Sequence, residues 1–153
     1  MPFTIVLLEP QIPPNTGNIA RLCAATGTTL HVVGKLGFEL SDKTLKRAGL
    51  DYWKHVNWTY FENLEQYIAN LPIENCHFLT TKTDTVYFKV DYNPDDYLIF
   101  GSETTGINEA ILKAHWHRTR TIPMQNKSEG VRSINLSTAV GIVLFEAIRQ
   151  QTV

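Results

Sequence analysis

The stretch Thr121–Gln151, TIPMQNKSEGVRSINLSTAVGIVLFEAIRQQ, decides how the rest of the chain is interpreted. It begins with a short β-prone segment that ends at Ile122 and Pro123, and a polar loop follows. A long apolar helix comes next, and its apolar residues recur at helical spacing: Leu136, Ala139, Val140, Val143, Leu144, Ala147 and Ile148. Because Ile142 and Phe145 fall off this face, the helix is expected to be buried deeply or shared with a partner subunit.

Polar residues crowd the start of this helix, namely Ser128, Arg132, Ser133, Asn135 and Ser137. A helix start offers unpaired backbone N–H groups that can hold a polar ligand. Ordinary capping by Asn135 or Ser137 explains the same pattern. Taken by itself, the stretch leaves ligand binding and capping open.

Composition describes an ordinary globular chain. With 153 residues, 43% apolar and 19% charged, one domain spanning residues 1–153 is expected. The net charge of −1 means that any RNA contact must come from a local basic patch. The two thiols, Cys23 and Cys76, are expected to be reduced and buried in a cytoplasmic protein. MPFTIVLLEP does not resemble a signal peptide, and no apolar run reaches membrane-spanning length.

Short β-prone runs alternate with helical segments along the chain. The predicted strands are Phe3–Leu8, Leu30–Val33, Cys76–Thr81, Tyr97–Phe100 and Arg118–Ile122. The predicted helices before the last one begin at Asn15 or Thr16, at Ser41 or Asp42, at Phe61 and at Asn108, and residues 52–61 are interpreted as an aromatic-rich connector. The alternation predicts an α/β domain, a mostly parallel sheet flanked by helices.

In such sheets, ligands bind where the parallel strands end. The loops after Leu8, Phe100 and Ile122 are therefore the candidate sites, and the loop after Leu79 is a weaker fourth.

Two of these loops carry side chains suited to a polar ligand. After the first strand, Asn15 precedes Asn18 and Arg21, which share one helix face. A guanidinium there suits a phosphate or a carboxylate, although a capped helix with a surface arginine gives the same pattern. After Phe100, Gly101 lets a backbone approach a ligand closely, with Glu103 beside it. An ordinary strand-to-helix turn is the alternative there.

Several classes of site are disfavoured. Neither a G-x-G-x-x-G segment after the first strand nor a P-loop is present. The five histidines, at 31, 55, 77, 115 and 117, show no metal-ligand spacing, so no metal is expected. FMN binding of the flavodoxin type is weakened because no Ser/Thr-rich loop follows the first strand.

The conjunction of segments is more specific than any one of them. Asn15–Arg21, Phe100–Gly106, and Ile122–Met124 with Arg132–Ser137 resemble, in order and placement, the three motifs of the SPOUT RNA methyltransferases. Together with RAGLDYW at Arg47–Trp53, the first segment is similar to the small single-domain branch that methylates the wobble ribose of tRNA.

The resemblance covers nearly the whole chain, from Ile5 to Gln151. Relatives often carry Pro or Arg at the position of Ser102 and Arg at the position of Thr105, and the loop 125–131 is longer than usual. These departures concern fine substrate contacts rather than the class of reaction.

The resemblance implies an α/β fold with a C-terminal trefoil knot, a C₂ homodimer, and S-adenosyl-L-methionine as the methyl donor. The implied reaction is methyl transfer to the ribose 2′-hydroxyl of the wobble pyrimidine in the tRNA anticodon stem-loop, in leucine tRNAs. A related enzyme acting on rRNA or on another tRNA position, and a non-catalytic RNA-binding module of the same fold, are the alternatives.

The resemblance also implies the residues of the site. The catalytic group would be Arg21, Asn15, Glu103, Ser133 and Asn135. The cofactor-binding group would be Leu79, Thr80, Gly101, Ile122, Met124, Ser133 and Leu136. Arg21 would act on donor bound by the partner subunit, either as the general base or as an anchor for the RNA phosphate.

A local basic cluster offers the RNA contact that the net charge does not. It consists of Lys43, Lys46, Arg47 and Lys54, and Tyr52 or Trp53 could stack on an unpaired base. A solvated helix face with core aromatics is the alternative.

Overall fold

The computed structural model describes residues 2–40 and 53–152. Two predicted features lie outside these residues: the basic helix that begins at Ser41 or Asp42, and three of the four basic side chains, Lys43, Lys46 and Arg47.

Six strands form one sheet, and every pairing among them is parallel. The strands are β1 Thr4–Leu8, β2 Thr29–Val33, β3 Trp58–Phe61, β4 Cys76–Leu79, β5 Tyr97–Phe100 and β6 Thr119–Arg120. Their order across the sheet is β3-β2-β1-β5-β4-β6. Strand order reverses between β1 and β5, so the crevice at the ends of these two strands is where a ligand is expected.

Helices cover both faces of the sheet. They are α1 Pro13–Thr26, α2 Leu64–Ala69, α3 Glu109–Ala114 and α4 Leu136–Gln151. The predicted α/β architecture with a parallel sheet flanked by helices is thereby confirmed.

Side-chain alternation along β1 creates two cores. Ile5 and Leu7 point to the face covered by α1 and α4, while Val6 and Leu8 point to the face covered by α2 and α3. A central strand that is buried on both faces has a continuous run of apolar residues. Such a run is visible in the sequence, so β1 could be predicted. Both cysteines are free and buried, as predicted, and burial raises the pKa of each thiol to about 12.

The N-terminal end of α1 differs from its prediction. The helix begins at Pro13 after the cap residue Ile12, and no side chain caps it, so the prediction of Asn15 or Thr16 as the cap was wrong. Proline suits the first helical turn because its missing N–H would have been unpaired there anyway. Asn15 is therefore free to bond elsewhere, and it lies buried inside the first turn.

The aromatic connector contains a strand that was not predicted. Trp58–Phe61 pairs with β2 at the edge of the sheet, and three of its four residues are exposed. An edge strand with this exposure lacks the apolar alternation by which strands are recognised. β4 and β6 are each shorter than their predictions.

A buried polar network fixes the far edge of the sheet. His77 on β4 donates from Nε2 to Asp96 Oδ2 at 2.8 Å, and Arg120 Nε on β6 donates to His77 Nδ1 at 3.2 Å. Burial lowers the pKa of His77 to about 4, so this imidazole is neutral at neutral pH and can accept from Arg120. The network holds β6 where its chain continues into Ile122, one wall of the cavity described next.

Candidate active site

A cavity of about 300 Å³ opens where β4, β5 and β6 end. The loops that follow these three strands form its walls, together with the start of α4. All seven residues of the predicted cofactor-binding group line it: Leu79, Thr80, Gly101, Ile122, Met124, Ser133 and Leu136. Its volume lies at the lower end of the range typical of small-molecule sites. The weaker fourth loop, after Leu79, therefore contributes as directly as the loops after Phe100 and Ile122.

The loop after β5 folds back tightly on itself at Gly101. Gly106 N donates to Ser102 O at 3.0 Å, and Gly106 has φ 69°. A Cβ on Gly101 would overlap the main chain of Gly106 and Ile107. Glycine at position 101 is therefore required by the close approach of two backbone segments.

Glu103 joins this loop to the loop after β1. Its Oε1 accepts from Gln11 N at 2.8 Å, and its Oε2 accepts from Ile12 N at 2.9 Å and from Asn15 Nδ2 at 3.2 Å. The carboxylate thus satisfies two backbone donors at the start of α1, where negative charge is favoured. It occupies the position that a bound phosphate takes at other helix starts.

Asn15 links Glu103 to the start of α4 through hydrogen bonds at both ends of its side-chain amide. Because Glu103 only accepts, the amide nitrogen of Asn15 must face it, and Asn15 Oδ1 then accepts from Asn135 Nδ2 at 3.1 Å. Asn135 Oδ1 in turn caps α4 by accepting from Ser137 N at 2.9 Å and from Thr138 N at 3.4 Å. Three side chains of the predicted catalytic group thus form one hydrogen-bonded chain. In the sequence, Glu103 lies 88 residues from Asn15, and Asn135 lies 120 residues from Asn15.

Replacing Glu103 with glutamine is expected to lower the free energy of unfolding by about 1–3 kcal/mol, because one of three convergent donors then meets an N–H₂ group. Urea unfolding of the two proteins measures the difference. Glu129→Gln, on an exposed turn, is the matched control and is expected to change stability by less than about 0.5 kcal/mol. Equal stability of Glu103→Gln and wild type would show that the carboxylate does not hold the loops together.

The other two members of the predicted catalytic group lie apart from this chain of hydrogen bonds. Ser133 lines the cavity and is exposed. Arg21 is exposed on α1 and does not line the cavity of its own chain. It follows Asn15 by six positions, about 9 Å along the helix axis. Asn18, which shares its helix face, is exposed as well.

Of the predicted RNA-binding residues, Lys54 lies in the described part of the chain and is exposed on a short turn, Trp53–His55. Trp53 packs edge-on against Trp58 with ring centroids 5.0 Å apart, so Trp53 belongs at least partly to the fold.

Sequence reasoning missed several residues of the site. Lys82, Ile107 and Ala139 line the cavity, and their positions next to strand ends or the start of α4 were the available signal. Among residues 2–40 and 53–152, no cluster of three or more His, Cys, Asp or Glu side chains could hold a metal ion. No helix in this part of the chain has the length and apolarity needed to cross a membrane.

Comparison with known proteins shows the family to which this chain belongs. The model of the SpoU rRNA Methylase family matches residues 2–145. The chain is 47% identical over 150 residues to a tRNA (cytidine(34)-2′-O)-methyltransferase of Methylovorus glucosotrophus (strain SIP3-4), and the alignment covers 97% of this chain and 95% of the relative.

Two solved structures share the fold. One, from work on the 2-OH methylation of C/U34 on tRNA, superposes with a TM-score of 0.89 at 39% identity and covers 98% of this chain and 96% of its own. An AdoMet-bound rRNA methyltransferase from Sinorhizobium meliloti superposes with a TM-score of 0.84 at 23% identity, over 99% of this chain and 57% of its own. The resemblance to SPOUT RNA methyltransferases is confirmed, and the chain belongs to the SpoU rRNA Methylase family.

Proposed function

We propose that this protein transfers a methyl group from S-adenosyl-L-methionine to the ribose 2′-hydroxyl of the wobble pyrimidine of tRNA. The observation that carries the proposal is the convergence of three distant polar loops, through Glu103, Asn15 and Asn135, beside one cavity. The relative at 47% identity, a tRNA (cytidine(34)-2′-O)-methyltransferase over nearly its whole length, supports the substrate. A tRNA substrate supports a cytoplasmic location, and the single continuous six-stranded sheet supports one domain.

The cavity suits the methyl donor. Ile122, Met124 and Leu136 give apolar walls for an adenine ring, and the tight turn at Gly101 brings backbone groups close to it. When bound, the donor would supply a methyl group carried on a positively charged sulfur: the C–S bond would break as the C–O bond forms, a neutral thioether would leave, and the hydroxyl proton would be released to water. The protein does not have to supply a strong counter-charge, because that positive charge disappears during transfer.

Orientation of the target hydroxyl is then the main task of the protein. Holding two reactants in line is worth roughly 7–11 kcal/mol. We assign this task to Arg21, because a guanidinium can grip an RNA phosphate through two parallel hydrogen bonds. Asn15 is already bonded at both ends of its amide, so its role is to hold the loops rather than to take a proton.

Delivery of Arg21 to the donor requires a second subunit, and we propose a C₂ homodimer. Arg21 does not line the cavity of its own chain. The outer face of α4 supports a partner there: Phe145 is 53% exposed and Ile142 is half-buried, although the opposite face of the helix is fully buried. These two apolar side chains adjoin on one helix face at i and i+3, and a contiguous exposed apolar surface supports an interface between copies.

We also propose the C-terminal trefoil knot. Thr80 N donates to Arg120 O, Thr121 N donates to Thr85 O, and Tyr87 N donates to Thr121 O. The segment 80–87 therefore forms backbone hydrogen bonds with Arg120, the last residue of β6, and with Thr121, the residue that follows it. These bonds extend the parallel pairing beyond β6. The knot itself is proposed from the family resemblance, against the general rule that chains are not knotted.

A methyl-transfer assay tests the function. Purified protein and tritiated S-adenosylmethionine are incubated with bulk tRNA from a strain that lacks this gene, and the labelled nucleotide is mapped after digestion. Label on the 2′-oxygen of the wobble pyrimidine is expected. Label at another tRNA position or only on rRNA would indicate the related enzyme, and donor binding without transfer would indicate a non-catalytic module.

A further inference from the structure

A second cleft shares a wall with the donor cavity. Its volume is about 250 Å³, and the residues common to both cavities are Ser102, Thr104, Thr105 and Gly106, all from the loop after β5. We propose that this second cleft holds the pyrimidine base of the nucleotide that is methylated. The inference rests on the proposed function and adds the determinant of the target base.

The lining of the second cleft has the distribution of polarity that a nucleobase needs. Leu8, Leu64 and Ile111 form an apolar floor that belongs to the core on the second face of the sheet. Polar groups of Glu9 and Asn108 lie at the rim. A base taken out of its stack presents apolar ring faces and a hydrogen-bonding edge, and it is bound by this combination of side chains.

The rim retains both a donor and an acceptor. Asn108 Oδ1 accepts from Ala110 N at 2.7 Å, and its amide N–H₂ has no partner within residues 2–40 and 53–152. Glu9 Oε2 accepts from Lys35 N at 2.9 Å, and its Oε1 has no hydrogen-bond partner in the same part of the chain. One free donor and one free acceptor suit the edge of a pyrimidine, which carries both kinds of group.

The hydroxyls of Ser102 and Thr105 explain how cytosine and uracil could both be accepted. Their oxygens lie 2.7 Å apart, and either hydroxyl can be the donor. Reversal of this hydrogen bond turns an acceptor toward the exocyclic amine of cytosine or a donor toward the exocyclic carbonyl of uracil. The pair lies in the wall common to both cavities.

The exposed aromatic side chains at the sheet edge are a less suitable site for this base. Trp58 and Tyr60 lie on β3, and the strand order places β2 and β1 between β3 and β5. Three strand spacings correspond to about 14 Å. A base whose ribose lies at the end of β5 cannot extend that far. Those aromatics could contact only a neighbouring nucleotide.

Filling the second cleft tests the proposal. Two stem-loop RNAs are compared, one with cytidine at the target position and one with an abasic ribonucleotide that keeps the 2′-hydroxyl. Ile111→Trp is expected to lower kcat/KM on the cytidine RNA by about tenfold to a hundredfold and to change kcat/KM on the abasic RNA by less than about twofold. The Kd of S-adenosylmethionine is expected to stay unchanged in the same protein. Ala114→Trp, at an exposed position of the same helix α3, is the matched control.

An equal loss on both RNAs, or no loss on either, would overturn the proposal. Glu9→Gln, at a residue that lines the second cleft but not the first cavity, provides a second measurement, and a loss is again expected on the cytidine RNA only. If the wild type transfers no methyl group to either RNA, the proposed function fails. RNA affinities measured by fluorescence anisotropy then test the second cleft separately. The wild type must bind the cytidine RNA more tightly than the abasic RNA, and Ile111→Trp must bind the two RNAs equally.

Discussion

Replacing Arg21 with alanine is expected to lower kcat/KM for tRNA methylation by about a thousandfold, close to 4 kcal/mol of transition-state stabilisation. The physical reason is loss of the bidentate grip that aims the ribose hydroxyl at the methyl group. Arg21 is exposed on α1, so the fold and the donor affinity are expected to be unchanged. Steady-state kinetics, thermal unfolding and titration with the donor measure the three quantities.

Two further variants separate charge from geometry. Arg21→Lys keeps the positive charge but loses the planar fork, so recovery of only part of the activity is expected. Lys113→Ala removes an exposed cation from α3, on the opposite face of the sheet, and is expected to change activity by less than about twofold. Full activity of Arg21→Ala would remove this residue from the mechanism.

Mixing two variants tests delivery by the partner subunit, at a donor concentration far below the weakened Kd expected for Gly101→Ala. In a mixed dimer of Arg21→Ala and Gly101→Ala, one of the two sites combines an intact donor cavity with an intact Arg21. Random pairing makes half of the dimers mixed, so about a quarter of wild-type activity is expected to return. If Arg21 served its own chain, mixing would restore nothing.

The sequence predicted the site better than the details of the elements around it. In a parallel sheet all strands end at one edge, so the placement of polar loops after Leu8, Leu79 and Phe100 was enough to bring them together. The resemblance then supplied the individual residues, and all seven of its cofactor-binding group line one cavity. Their roles in binding and catalysis stay predictions.

What could not be predicted depends on contacts distant in sequence. Glu103 accepts hydrogen bonds from the backbone N–H groups of Gln11 and Ile12, which precede it by 92 and 91 residues. Because this contact is so distant in sequence, no local pattern marks the start of α1. The same contact explains why Asn15 was mistaken for a cap. A capping residue is identified from its neighbours alone, whereas Asn15 bonds to two other loops.

Occupation of the start of α1 by Glu103 also bears on what the fold can bind. In dinucleotide-binding sheets, the first helix start holds a phosphate. Here an acceptor from the protein already fills that position, which agrees with the absence of a glycine-rich phosphate loop. The cavity lies instead at the ends of β4, β5 and β6, where the apolar side chains Ile122, Met124 and Leu136 line it together with polar ones.

Replacing Gly101 with alanine is expected to weaken donor binding by about tenfold to a hundredfold, since overpacking costs about 1–3 kcal/mol and each step of about 1.4 kcal/mol is a tenfold change in affinity. The added Cβ would overlap main-chain atoms of Gly106 and Ile107, which have no flexible side chain to move aside. The loop after β5 would have to open, and it forms a wall of the cavity at the ends of β4, β5 and β6. Isothermal titration with S-adenosylmethionine measures the affinity, and circular dichroism verifies that the variant is folded.

Two other glycines distinguish this overlap from general intolerance to alanine. At Gly141, in the middle of α4, a Cβ would meet only Leu22 Cδ2 at an ordinary 3.9 Å. Gly141→Ala is therefore expected to keep the donor affinity and to gain about 0.5–1 kcal/mol of stability from the helix preference of alanine. At Gly106, φ is 69° and no atom lies within 4 Å of the added Cβ, so alanine should cost only about 1–2 kcal/mol of backbone strain. Wild-type donor affinity in Gly101→Ala would mean that the cavity at the ends of β4, β5 and β6 is not the donor site, because no ligand wall can be moved in this way without consequence.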